Sequence, residues 1–214
     1  MIPSLGILVL GFLLGMRHAT DADHVVAVTA IVAGERSLTR AATIGALWGL
    51  GHTATLLAAG GAMIVFGLVM PPWLGLTLEL LVAVMLVALG VASVVGGKRG
   101  ERMIDSSARP LIVGTVHGMA GSAAFTLLAL PLIASPLLAA GYLALFGAGT
   151  IAGMVAVTLV IALPSLYAAH RVEGARHVLR YAAGVVSIVF GLYLAHQAGI
   201  GNGLLTGHPV WTPR

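Results

Sequence analysis

The chain has no cysteine, which excludes disulfides and every thiolate-ligated metal site. Charge is almost as sparse: 8% of the 214 residues are Asp, Glu, Lys or Arg, while 59% are apolar. Soluble domains carry roughly 25% charged residues, because a solvated surface needs dense mixed charge. So little charge cannot cover a globule of this length, and an ordinary soluble fold is excluded. There is no H-E-x-x-H pair, so the helical signature of a zinc hydrolase is missing. The net charge of +4 does not indicate nucleic acid. The basic residues sit in short segments between apolar runs, where membrane topology accounts for them.

What the chain does have is long apolar runs and 29 glycines, which in lipid let helices approach closely. A bilayer core needs about 20 helical residues. Six runs meet that length: Leu5 to about Val32, about Ala42 to Met70, Trp73 to Val95, about Pro110 to Ala134, Leu137 to about Leu163, and about Val178 to Ala198. Pro71-Pro72 ends the second, because proline cannot continue the hydrogen-bonded ladder. The first run lacks a basic leader segment and leads into a polar cluster, so it is expected to be a mature span. The expected fold is all-α: one polytopic membrane domain over residues 1–214, with about six transmembrane helices and the lipid bilayer as its surroundings. The final stretch, Gly207–Arg214, is expected to be a frayed tail.

Orientation follows from the loops. Arg36 and Arg40 lie in the first, Lys98, Arg99, Arg102 and Arg109 in or bordering the third, and Arg171, Arg176 and Arg180 in or bordering the fifth. The second and fourth carry no basic residue. Odd loops are therefore expected on the cytoplasmic side of a prokaryotic cytoplasmic membrane, with both termini outside.

Two short matches recur in order. Gly15-Met16-Arg17-His18 resembles Gly114-Thr115-Val116-His117, and Leu47-Trp48-Gly49-Leu50-Gly51 resembles Leu145-Phe146-Gly147-Ala148-Gly149, at offsets of 99 and 98 residues. The implied unit is three spans, with halves at residues 1–98 and 99–200. A repeated unit with an odd number of spans is inverted in the membrane, an arrangement recurrent in transporters, with a central site between the halves.

The segment Arg17-His18-Ala19-Thr20-Asp21-Ala22-Asp23-His24 places five ionisable side chains in eight residues of an otherwise apolar span. Each is costly in hydrocarbon without a partner, a cavity or an ion. On a helix with 3.6 residues per turn, residues 18 and 24 lie about 60° to either side of residue 21, and residue 17 falls within the same arc. Asp23 points roughly 160° away on a straight helix. Either the helix breaks here or Asp23 serves another partner. Arg17 paired with Asp21 or Asp23 would make a packing network, but two clustered histidines are not needed for packing. Imidazoles with one or two carboxylates suit nickel, cobalt, zinc or iron(II) better than sodium or calcium.

His52, in Trp48-Gly49-Leu50-Gly51-His52-Thr53, and His117, in His117-Gly118-Met119-Ala120-Gly121-Ser122, lie in other apolar spans. Gly49 and Gly51 are expected to let the first span approach His52, and Gly118 and Gly121 to act likewise beside His117. The candidate metal ligands are therefore His18, Asp21, Asp23, His24, His52 and His117. Thr20, Thr53 and Ser122 are candidates to orient the imidazoles, with Arg17 as a further polar neighbour. Glu79 is a lone carboxylate in the third span, either a proton-coupling group or a bundle contact. His170, His177, His196 and His208 read as interfacial.

The segment RHATDADH resembles the signature of the nickel/cobalt transporter family: a His, four residues, then Asp-His, here His18 and Asp23-His24, with Asp21 also in its expected place. Leu50-Gly51-His52-Thr53 resembles that family's Gly-His pair in the next span, and the segment from Val116 to Ser122 resembles a further stretch of such transporters and their efflux relatives. The resemblance runs from about Gly11 to Ala152. It implies translocation of nickel or cobalt, as transported substrate and without an organic cofactor, at His18, Asp21, Asp23, His24 and His52. The chain departs from the family in being shorter, with fewer spans, and in lacking the histidine-rich stretches of some efflux members. Two other classes stay in view: a membrane-embedded metalloenzyme, and a metal-sensing accessory subunit. A homo-oligomer or a partner subunit is compatible with each.

Overall fold

The computed structural model describes residues 2–35, 37–67, 70–95, 108–118, 133, 135–171 and 174–211. It is an all-α membrane bundle. The helices are α1 (Ile2–His18), α2 (Ala22–Val32), α3 (Leu38–Phe66), α4 (Pro72–Val95), α5 (Ala108–Gly118), α6 (Pro136–Arg171) and α7 (Ala175–His196). Four of these, α3, α4, α6 and α7, are each long and apolar enough to cross a membrane. The pair α1–α2 makes a fifth crossing if taken together, bent by 53° at a short break. Of the fourth expected span, α5 is described and residues 119–132 and 134 lie outside the described residues. The helices also extend past the expected limits, with α3 starting at Leu38 and α6 continuing to Arg171.

The break between α1 and α2 has a local cause. The amides of Thr20 and Asp21 turn back to the carbonyls of Arg17 and His18 at 2.8 and 3.1 Å, tightening the last turn of α1. Asp21 then adopts an extended backbone and becomes the N-cap of α2, with Asp23 in the first turn. Carboxylates are favourable at that end of a helix. Elsewhere the ends follow turn chemistry: α3 stops at Gly67, whose φ of 61° is left-handed, just before the proline pair.

Glycines set the helix seams, and the contacts fall into matching sets. Gly15 of α1 lies against the carbonyl of Phe146 on α6, and Gly149 of α6 lies against the carbonyl of Phe12 on α1. Gly114 of α5 lies against the carbonyl of Trp48 on α3, and Gly51 of α3 against that of Leu111 on α5. Gly90 of α4 meets the carbonyl of Gly184 on α7, and Gly191 of α7 meets that of Ala83. This corrects one expectation. The close approaches at Gly49 and Gly51 are made by α6 and α5, not by the first span: a Cβ on Gly49 would sit 2.9 Å from the Cα of Ile151. The first helix approaches through its own Gly11 and Gly15 onto α6.

A second correction concerns the end of the chain. Beyond α7 a π-turn over Gln197–Gly201 folds the backbone back, with the amides of Leu205, His208 and Val210 bonded to the carbonyls of Gly199, Gly203 and Asn202. Trp211 lies against Gly75 of α4, and its indole Nε1 donates to Glu79 Oε1 at 2.9 Å. Residues up to Trp211 are therefore docked rather than frayed, and Glu79 makes a bundle contact.

These seams predict a clear ordering of variants. Gly114→Val should be destabilised by overpacking, a cost of about 1–3 kcal/mol or more. Gly61→Ala, with open space at its Cβ position, should be neutral or slightly more stable. Thermal unfolding in detergent distinguishes them, and equal midpoints would contradict the packing described.

Candidate metal centre

The α1–α2 break brings together side chains that a straight helix would separate. His18 ends α1, Asp21 caps α2, and Asp23 and His24 begin it. His52 is the middle residue of α3, and His117 lies at the end of α5. His18, His24, His52 and His117 are all buried, the last three to within 1% of complete burial.

The ring nitrogens define the chemistry. His18 Nδ1 donates to Asp21 Oδ2 at 2.8 Å, a carboxylate–imidazole pair that fixes the ring. Its Nε2 then holds a lone pair in the neutral ring and faces His52 Nε2 at 3.1 Å. Asp23 is shared: Oδ1 accepts from His24 Nδ1 at 3.1 Å and Oδ2 from His117 Nε2 at 3.0 Å. With those protons assigned, the opposite nitrogens, His24 Nε2, His52 Nδ1 and His117 Nδ1, carry lone pairs. All three are buried and without a partner among the described residues. Buried polar atoms are normally satisfied, so three orphaned lone pairs in one cluster are a departure that a bound cation would explain.

The donor atoms form two groups, His18/His24/His52 and Asp23/His24/His117, each with its atoms within 4.8 Å of one another. The cluster is thus a buried His/Asp site, within a membrane helical bundle, able to hold a divalent metal ion.

The other expected residues have different surroundings. Arg17 is exposed and forms no ion pair among the described residues, so the packing network that would pair it with Asp21 or Asp23 is not present there. Thr20 donates to the Arg17 carbonyl at 2.6 Å and Thr53 to the Gly147 carbonyl at 3.1 Å; the carboxylates, not these hydroxyls, hold the imidazoles. Gly118 lies with its Cα against the backbone of His52. Gly121 and Ser122 lie outside the described residues. Sequence reasoning missed two aromatic walls: Trp48 stacks on His24 at 5.7 Å and 18°, and Phe146 lies beside His18 at 5.5 Å. A signal for both existed, because they are the aromatic residues of the two matching Leu-Trp-Gly-Leu-Gly and Leu-Phe-Gly-Ala-Gly segments.

Comparison with known proteins gives one relative of near-full length. The chain is similar to the urease accessory protein UreH of Bacillus sp. (strain TB-90), 32% identical over 217 residues, which span 94% of this chain and 95% of the relative. No family model and no solved structure matches.

Sharing of Asp23 between two buried imidazoles predicts an order of stability in metal-free protein. Asp23→Ala leaves two buried donors unpaired and should cost about 1–3 kcal/mol. Asp21→Ala should cost less, because the Asp21 side chain is 37% exposed and water can replace it. Thermal unfolding in detergent with a chelator tests this order; the reverse order would contradict it.

Proposed function

We propose that this chain, which belongs to the family of the urease accessory protein UreH, carries a divalent transition-metal cation across a membrane through its buried His/Asp cluster. The observation that carries the reading is where the cluster sits. It surrounds the central residue of a 29-residue apolar helix, beside a helix break flanked by two apolar segments. Irregular backbone and ionisable side chains are tolerated at that depth where they face a cavity or an ion. On this reading His18, Asp21, Asp23, His24, His52 and His117 handle the ion, and the chain is a transporter rather than an enzyme.

Nickel or cobalt is the proposed cargo, supported by the resemblance of His18 and Asp23-His24 to the nickel/cobalt transporter signature and by a donor set of imidazoles and carboxylates. The relative's name fits this: a membrane chain can assist an enzyme by supplying it with a metal ion. The same name favours a second reading, an accessory subunit that binds the ion without moving it.

The six-span architecture, with inverted halves at residues 1–98 and 99–200, is proposed as the framework. Its support is the exchange of glycine contacts. Gly15 on Phe146 corresponds to Gly114 on Trp48, and Gly149 on Phe12 to Gly51 on Leu111, all at shifts of 98 or 99 residues. The α4–α7 pair is reciprocal too, at a shift of 101 residues, since Gly90 on Gly184 corresponds to Gly191 on Ala83. Relative motion of the parts would expose the cluster to one side and then the other. The proposed orientation places the basic loops in the cytoplasm and both termini outside, in a prokaryotic cytoplasmic membrane.

Proteoliposomes containing the purified chain should accumulate nickel or cobalt. His18→Ala and His24→Ala should each lower that flux at least about tenfold, the scale of effect typical even for groups behind the ligands. Flux should also fall in acid, because a protonated imidazole is no ligand. Unchanged flux in both well-folded variants would sink the proposal, and tight binding without flux would favour the accessory reading. In this cysteine-free background, Ser37→Cys and Pro72→Cys should be labelled from opposite sides of the membrane.

A further inference from the structure

The cluster is a row of rings, not a closed shell. His24 occupies the middle, with ring centroids 4.6 Å from His18, 5.2 Å from His52 and 4.2 Å from His117. His52 and His117 are farther apart, at 6.2 Å. Of the two donor groups, only His24 belongs to both. Either group offers three ligands, and each keeps at least one nitrogen without a partner among the described residues.

The ligands also ride on different parts of the bundle. His18, His52 and His117 lie on α1, α3 and α5. Here α1 packs on α6, and α3 packs on both α6 and α5. Asp23 and His24 lie on α2, which packs on α7 and α4 as well as on α6. The Ser93 hydroxyl of α4 donates to the Ala30 carbonyl of α2 at 3.1 Å, tying the two together. Backbone continuity between α1 and α2 runs only through the corner at Ala19–Asp21, where the chain turns by 53°.

From this arrangement we infer that the cluster is two overlapping stations for one divalent cation, with Asp23 and His24 on α2 as the ligands that hand it over. The inference rests on reading the cluster as a cation path. At the first station the ion sits among His18, His24 and His52, backed by Asp21 through the His18 ring. At the second it sits among Asp23, His24 and His117. Two dications so close in a low-dielectric interior would repel strongly, so the stations are occupied in turn. Keeping His24 throughout means the ion is never stripped of all its protein ligands while it passes. It moves from three neutral imidazoles to a shell with a carboxylate, and a small swing of α2 about the corner exchanges its remaining partners. Trp48, stacked on His24, keeps the shared ring upright during the exchange.

The test is nickel binding to the purified full-length chain in detergent, by calorimetry and X-ray absorption, alongside flux in proteoliposomes. His117→Ala and His52→Ala each remove one station. Each should bind one nickel ion with affinity reduced about 10–100-fold. The shell should be imidazole-only in His117→Ala and should contain carboxylate oxygen in His52→Ala, while both lose flux. His24→Ala, which removes the shared ligand, should lose measurable binding. Should His52→Ala or His117→Ala abolish binding as completely as His24→Ala, or should both retain one identical shell, the two stations are overturned. His52→Gln and His117→Gln, which preserve side-chain bulk, repeat the comparison if an alanine variant misfolds. Two distinct shells without flux in the wild-type chain would uphold the stations and overturn the transport reading instead.

Discussion

Everything in this bundle depends on compensating imidazoles and carboxylates that lie among apolar helices. Such groups are expensive in hydrocarbon unless something within the protein answers them. Here the answers are partial. Asp21 holds His18, and Asp23 holds both His24 and His117, yet three ring nitrogens have no partner among the described residues. A network built only for packing would be expected to close on itself. This one keeps lone pairs in reserve within two groups of donor atoms, each spanning no more than 4.8 Å.

The site exists because the helices come unusually close. Gly51 and Gly114 let α5 lie directly on α3, which carries His117 towards the row. Gly15, Gly149 and Gly153 do the same for α1 and α6. A Cβ at these positions would strike backbone atoms, which cannot swing aside as the end of a flexible side chain can. Glycine abundance and the histidine cluster are therefore one design: the seams bring together elements that are far apart in sequence, and the break in the first crossing turns Asp23 into the space they create.

Much of the site was legible in the chain itself. The dense polar segment from Arg17 to His24 stood out because it interrupts an apolar span, and the isolated His52 and His117 stood out for the same reason. The geometry of a straight helix left Asp23 on the wrong face, with a break or another partner as the remedies; the structure has both. Less legible were Trp48 and Phe146, since an aromatic residue in an apolar helix carries no local mark of what it packs against. The docking of Trp211 on Glu79 was illegible as well, because it joins residues 132 positions apart through a turn with no strong pattern.

The sequence by itself determined that this is a helical membrane protein with several long apolar helices, and which residues are too polar to lie among them without a purpose. Those are properties of single segments, set by transfer free energy and helical periodicity, and they need no knowledge of neighbours. Only the tertiary structure decided that His18 meets His52, that Asp23 joins His24 to His117, and which helices the glycines admit. These are distances between segments, fixed by how backbones pack against one another, and hydropathy along a chain carries no record of them.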